Sequence, residues 1–488
     1  MNALYILATI AVYVMMLFVV ARLGSGKGDN NAFFRADKKS PWWVVAFGMI
    51  GASLSGVSFI SVPGMVVTND MTYMQLCIGF FFGYLVVAFV LLPPYYKMNL
   101  TSIYTYLDRR FGPSAYQTGA WTFLISKLFG ASVRLFLVCV ILHRYVFDTI
   151  GCPFVFVVCG VVGIIWLYTL RGGIKSLVWT DALQTLCLIV ALLMVAYHLC
   201  HLNGFTPQEA FSYISENPKS QWFVWSDWAS PQHFIKQFLS GIFIVVVMTG
   251  LDQDMMQKNL TCKSLRDAQK DMCTYGFFFI PLNWLFLGVG VLMLTFVANE
   301  GITLPTNGDD ILPMLCAGGY LGDVVLILFS FGVISAAFSS ADSALTALTT
   351  SFCVDIIRMN DDSLTSQKLR KRVHTIIAFM MIVLILLFES LNNTSVIDAI
   401  YVMASYTYGP LLGLFSFGLF TKRTPRDRWL PIVCILSPLL CLVVDHVSTM
   451  CFNYHIGYEL LLLNGFLTFC GLLVLSHNVP TKKLVKSR

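Results

Sequence analysis

The chain has 488 residues, of which 57% are hydrophobic types and only 12% are charged, with a mean hydropathy of +0.74. That excludes an ordinary soluble globular protein, and fourteen cysteines placed mostly singly in apolar runs, with no CxxC pair, argue against a zinc site or a disulfide framework. The net charge of +6 invites an anionic partner, but its distribution points instead to membrane orientation, and no nucleic-acid partner is expected.

A helix crossing a bilayer needs roughly twenty apolar residues. Such runs number thirteen, at about 3–22, 42–69, 73–96, 118–146, 152–170, 176–200, 237–257, 273–298, 322–355, 373–390, 396–420, 430–448 and 457–476. The first has no basic segment before it, which predicts a retained helix rather than a cleaved signal peptide. The whole chain, 1–488, reads as a single all-α integral membrane domain. Lysine and arginine set its orientation. The segments "RLGSGKGDNNAFFRADKK", "KMNLTSIYTYLDRRF", "RGGIK", "KNLTCKSLRDAQK", "RMNDDSLTSQKLRKR", "TKRTPRDR" and "KKLVKSR" alternate with loops that carry only Arg144, Lys219 and Lys236. The expected topology has the N-terminus outside and the C-terminus in the cytoplasm of a cell (inner) membrane. The short tail after the last span predicts no appended domain. The longest outer segment, about 201–236, is expected to pack as a short lid or interfacial piece. Pairing of Cys152 with Cys200, both near outer helix ends, stays open.

The second span contains "GMIGASLSGVSFISVPGMVV", whose glycines, serines and Pro63 make a poor uninterrupted helix. Small residues also serve close helix packing. The run as a whole fits an unwound segment, where freed carbonyls can hold a cation and half-helix ends can face a solute. The seventh span offers a second break in "VVMTGLDQDMMQ", with Thr249-Gly250 before Asp252, Gln253 and Asp254. The two breaks are five spans apart, as an inverted repeat requires, although no sequence similarity joins the halves.

The ninth span reads "SAAFSSADSALTALTT" over 335–350. A carboxylate and dense hydroxyls in hydrocarbon need something to meet them. At helical spacing Ala336, Ser339, Ser340, Asp342 and Ser343 share one broad face. Their oxygens suit a hard cation such as sodium. Hydroxyls that bond back to their own helix explain one or two serines but not the carboxylate. Asp181, in "GGIKSLVWTDALQ", falls at similar depth, where a helix-dipole role is the alternative. The fourth span carries Lys127 and Arg134, two turns apart on one face. Lys127 is expected to bridge to Asp342, Asp252 or Asp181. Arg134, nearer the midplane, suits a bidentate grip on a solute carboxylate.

Together, "GASLSGVSFISVPG", "TSIYTYLDRRFG", "GGIKSLVWTDALQ", "DQDMMQKNL" and "SAAFSSADS", with a weaker "YGPLLGLFSFGLFTKR", resemble the sodium:solute symporters, carriers of glucose, proline, sialic acid, iodide and monocarboxylates. The resemblance implies the leucine-transporter fold. Spans 2–6 and 7–11 would form a 5+5 inverted-repeat core over about 42–420, with peripheral helices at 3–22 and about 430–476. It implies sodium between spans 2 and 9, held by carbonyls of Gly51 (or Ala52), Leu54 and Ala336 and by the hydroxyls of Ser339 and Ser340. It also implies a possible second sodium at Asp181, Ser339, Asp342 and Ser343, where Asp342 replaces an expected hydroxyl. For the solute it implies Ser53, Ser55, Ser58, Gln75 and Arg134. That set favours an acidic sugar such as a sialic acid. A neutral sugar bound by Asp252 and Gln253, or a monocarboxylate, is the alternative.

No HExxH or GxSxG motif is present and the eight histidines do not cluster, so no enzyme is expected. A channel would use repeated ligands around an axis, whereas these polar groups are asymmetric and internal. The expected function is sodium-coupled import of a small organic solute by alternating access, with sodium, solute and the lipid bilayer as the only partners.

Overall fold

The computed structural model describes residues 3–24, 29–226, 228, 230–305, 308–359, 363–391, 396–452, 454 and 456–477. The basic tail 482–488, used above for orientation, lies outside them.

Almost every described segment is helical, and each expected apolar run coincides with a helix or a bent pair. Uninterrupted helices run over Pro113–Leu142, Phe154–Gly172, Ile174–Leu202, Leu265–Glu300 and Leu364–Leu391, with further long spans at Tyr73–Lys97 and Gly322–Ile356. By length and apolarity, eight helices among the described residues qualify as spans, or ten if each bent pair counts once. That criterion does not reach thirteen. Ala8–Gly24 and Leu460–Val474 are shorter apolar helices, and Val396–Phe420 holds the expected eleventh place.

Both expected breaks are present. Trp42–Ser53 and Gly56–Asn69 meet at 59°, and Phe234–Gly250 and Gln253–Asn259 meet at 70°. The first break lies at Leu54 and Ser55, where the backbone turns extended, and not at Pro63. Pro63 is carried inside the second half-helix, its carbonyl packed so closely on Gly290 that a side chain there would collide. A wide turn, Val246–Gly250, precedes the second break, and Asp252 caps the following half by accepting from the Asp254 amide at 2.8 Å.

Close packing explains many of the small residues. Ile174–Leu202 packs against both Trp42–Ser53 and Gly322–Ser351. Gly48 faces Asp181, and Gly51 faces Thr185. The third and seventh spans meet at Gly79 and Gly241, where an added Cβ would strike the carbonyls of Phe238 and Leu76 respectively. Gly79→Ala is therefore expected to lower stability by about 1–3 kcal/mol. Gly130→Ala, with no atom within 4 Å of the new carbon, should be silent. Thermal unfolding of the two variants in detergent checks the pair.

The described residues of the outer segment 201–236 are tied to the helices beneath them. Its helix Pro207–Glu216 starts with a reciprocal cap, in which Thr206 backbone and hydroxyl bonds hold the Glu209 carboxyl below the usual range. Lys219 pairs with Asp70 at 2.9 Å, and Gln75 accepts from the Val224 amide at 3.1 Å. Cys152 and Cys200 are both free thiols, as are the other twelve cysteines.

Two basic residues used for orientation are not loop charges. Arg370 is fully buried, donating to Asp29 O and Asn30 Oδ1 with its guanidinium over the Phe33 ring. Lys258 is buried within the half-helix Gln253–Asn259.

Candidate functional site

The breaks differ in what happens to their freed carbonyls. At the second, Tyr95 donates its hydroxyl to Gly250 O at 3.1 Å and Tyr104 donates to Leu251 O at 3.0 Å. That break is closed by the protein itself. At the first, the Ser55 amide turns to Ser53 O and the Ser58 amide to Ser55 O. The carbonyls of Gly51, Ala52 and Leu54 accept no backbone or side-chain donor among the described residues.

The open break lies against the ninth span. A Cβ at Gly56 would be 3.1 Å from Val333 O and 3.6 Å from Ala337 Cβ, so Ala336, Ser339 and Ser340 follow directly along the facing helix. Ser339 donates to Asp181 Oδ1 at 2.8 Å and Ser340 donates to Ala337 O at 3.1 Å. Each hydroxyl oxygen keeps lone pairs for a cation. Unclaimed carbonyls beside two hydroxyls form a neutral oxygen set suited to sodium.

Beside the same break is a cavity of about 110 Å³. The second span contributes Ala52, Ser53, Ser55, Val57 and Ser58 to its wall. Phe80 and Tyr84 come from the third span, Lys127 and Arg134 from the fourth, and Tyr275 and Phe279 from the eighth. The seventh supplies Met248, Thr249, Asp252, Asp254 and Met255 among others. Of the residues expected at the solute, Ser53, Ser55, Ser58, Arg134 and Asp252 are thus gathered together.

Gln75 and Gln253 are not in that wall. The Gln75 amide is spent on Val224 N, Gln232 O and Thr72 O, so it secures the overlying segment. Gln253 accepts from Ile103 N and donates to Thr101 O, both at 2.9 Å. Sequence spacing could not reveal this, because both glutamines sit on the expected spans and only their partners decide their roles.

Charge is arranged unevenly. Lys127 Nζ lies 3.0 Å from Asp252 and 2.7 Å from Asp254, all three buried, and Tyr408 donates to Asp252 at 2.9 Å. Of the three expected partners of Lys127, the structure selects Asp252 and adds Asp254. Arg134 also faces the cavity, close enough to Asp254 and Tyr408 to act on them electrostatically, but it forms no hydrogen bond or ion pair within 4 Å among the described residues. The sequence reading missed a hydroxyl chain from Tyr84 through Tyr275 to Ser53, Tyr84 donating to Tyr275 at 2.7 Å. Isolated tyrosines in apolar runs carried no signal for it.

Asp181, Ser339, Asp342 and Ser343 are all buried, Asp181 bonded to Ser339 and Asp342 to Ser343. Asp342 accepts from Tyr168, from Gln184 at 3.4 Å and from Ser343 at 3.3 Å. Lys258 joins this group, 2.9 Å from Asp181 Oδ2.

Comparison with known proteins agrees with this architecture. A profile of the Sodium:solute symporter family matches residues 33–427. The sodium/sialic acid symporter NanT of Aliivibrio fischeri is 26% identical over 454 residues, covering 89% of this chain and 87% of the relative. The sodium/glucose cotransporter of Vibrio parahaemolyticus is 23% identical, covering 86% and 82%. In structure, the substrate-bound outward-open state of a Na+-coupled sialic acid symporter superposes with a TM-score of 0.80 at 18% identity, over 97% of this chain and 99% of that one. Mhp1, a nucleobase-cation-symport-1 family transporter, gives 0.56 at 15% identity, over 91% and 94%. The fold is that of the leucine transporter. With two broken spans, the first of them open against the ninth helix, the chain belongs to the sodium:solute symporter family, as a multi-pass membrane symporter coupled to sodium and not an enzyme.

Proposed function

We propose that this symporter imports an acidic sugar of the sialic acid type, with Arg134 as the anchor for its carboxylate. The carrying observation is the division of charge in the cavity. Lys127 pairs with Asp252 and Asp254, while the Arg134 guanidinium faces the same space, near Asp254 but in no ion pair within 4 Å among the described residues. A planar guanidinium takes a carboxylate through two parallel bonds. Ser53, Ser55, Ser58 and Thr249 supply hydroxyls for a polyol, and Tyr84, Phe80 and Phe279 supply apolar faces. The likeness to NanT, named for sialic acid, supports this reading. The stabilising effect of N-acetylneuraminate against that of glucose on the purified protein tests it, because a shift with glucose alone contradicts an anionic solute.

Sodium is assigned to the cradle of Gly51, Ala52, Leu54, Ala336, Ser339 and Ser340. Occupying it joins the broken span to the ninth helix, which favours the solute-accepting conformation; closure then carries both across. Ser340→Ala removes one oxygen and is expected to raise the sodium concentration for half-maximal uptake about tenfold, the equivalent of about 1.4 kcal/mol. Sodium titration of initial uptake rates checks this. The alternation of basic loops supports a cell (inner) membrane location, N-terminus outside and C-terminus in the cytoplasm, even with Lys258 and Arg370 removed from the count.

A further inference from the structure

The group formed by Asp181, Ser339, Asp342 and Ser343 has the composition of a second cation site, but its geometry is that of a site already filled. Every carboxylate oxygen faces a proton donor. Asp181 Oδ1 accepts from Ser339 at 2.8 Å, and Asp181 Oδ2 faces the Lys258 ammonium at 2.9 Å. Asp342 Oδ2 accepts from Tyr168 and Gln184, and Oδ1 accepts from Ser343.

Lys258 has no other role in view. It is 1% exposed, and its nitrogen makes an ion pair with Asp181 rather than an aligned hydrogen bond to any group. Its half-helix is fixed on both sides of it. Gln257 donates to Phe34 O and Thr350 Oγ1, and Asn259 donates to Ala268 O and Asp271. A seven-residue helix fastened at neighbouring positions holds the ammonium at the Asp181 carboxylate. A free sodium at Asp181 would have to displace that ammonium or sit beside it, where the two like charges repel.

We propose that Lys258 is a built-in cation at the Asp181 site, so that this symporter binds and couples one sodium ion, the one between spans 2 and 9. The inference rests on sodium-coupled symport and not on the identity of the solute. With an anionic solute, one sodium makes import electroneutral, driven by the sodium gradient and insensitive to membrane voltage.

Equilibrium binding of radioactive sodium to the purified full chain tests this without any solute. The wild type is expected to bind one sodium per chain, and Lys258→Ala, which vacates the Asp181 carboxylate, to bind two. Lys258→Arg, which keeps the charge, should remain at one. Two ions on the wild type overturn the proposal, and so does a single ion on Lys258→Ala. If the alanine variant does not survive purification, the wild-type count decides alone.

Discussion

Arg134→Ala is expected to weaken recognition of N-acetylneuraminate about a hundredfold, through a loss of about 3 kcal/mol from a bidentate charge-assisted pair. The fold should survive, because Arg134 is only half-buried and bonds to no other described residue. Its neighbours Gly130 and Ala131 keep their packing. Arg134→Lys should recover part of the loss, since an ammonium keeps the charge but not the planar fork. The half-saturation constants for uptake in the three proteins separate these outcomes. If Arg134→Ala left the constant for N-acetylneuraminate unchanged, the carboxylate would have to be bound elsewhere in the cavity.

Lys127→Met, two turns away on the same face, should behave differently. Lys127 is the shared partner of two buried aspartates, and removing it leaves Asp252 and Asp254 facing each other without an ion-pair partner. Breaking a buried ion pair on one side costs about 3–5 kcal/mol, because a charge is left uncompensated. The variant is expected to lose most of its folded yield and to melt at a lower temperature in detergent. Adding Asp252→Asn and Asp254→Asn removes both stranded charges and should return much of the stability. A single variant as stable as the wild type would show that the pair is dispensable to the fold.

These two cations were legible in the sequence as a pair on one face, but not in their division of labour. Spacing placed both in the membrane, while the assignment of Lys127 to Asp252 and Asp254 depends on how the seventh span bends. The breaks themselves were legible because glycine, serine and isolated acids violate the rules for lipid-facing helices. The exact hinge was not, since Pro63 is the more obvious breaker and yet continues the helix. There the carbonyl at 63 packs on Gly290, a residue distant in sequence. Lys258 was misread for a related reason. A lysine at the end of an apolar run resembles a loop charge, and only the second break turns it inward to Asp181. Gln75 and Gln253 show the opposite error, polar residues at plausible depth whose amides are spent on backbone.

Among the described residues only one of the two breaks keeps its carbonyls available, and the proposed mechanism rests on this. Tyrosines close the seventh span's break and leave it a rigid bend. On the proposed reading a cation completes the second span's break, next to the cavity wall formed by Ala52, Ser53, Ser55, Val57 and Ser58. A sodium gradient of tenfold supplies about 1.4 kcal/mol per ion, and a further 2.3 kcal/mol or so for each 100 mV when net charge moves.

The most direct measurement is uptake of labelled N-acetylneuraminate by proteoliposomes containing the wild-type chain, under an inward sodium gradient and under an equal potassium gradient. Accumulation above the external concentration with sodium, and none with potassium, is the predicted result. Equal uptake with either ion, or uptake of glucose in place of the acid, would contradict the account.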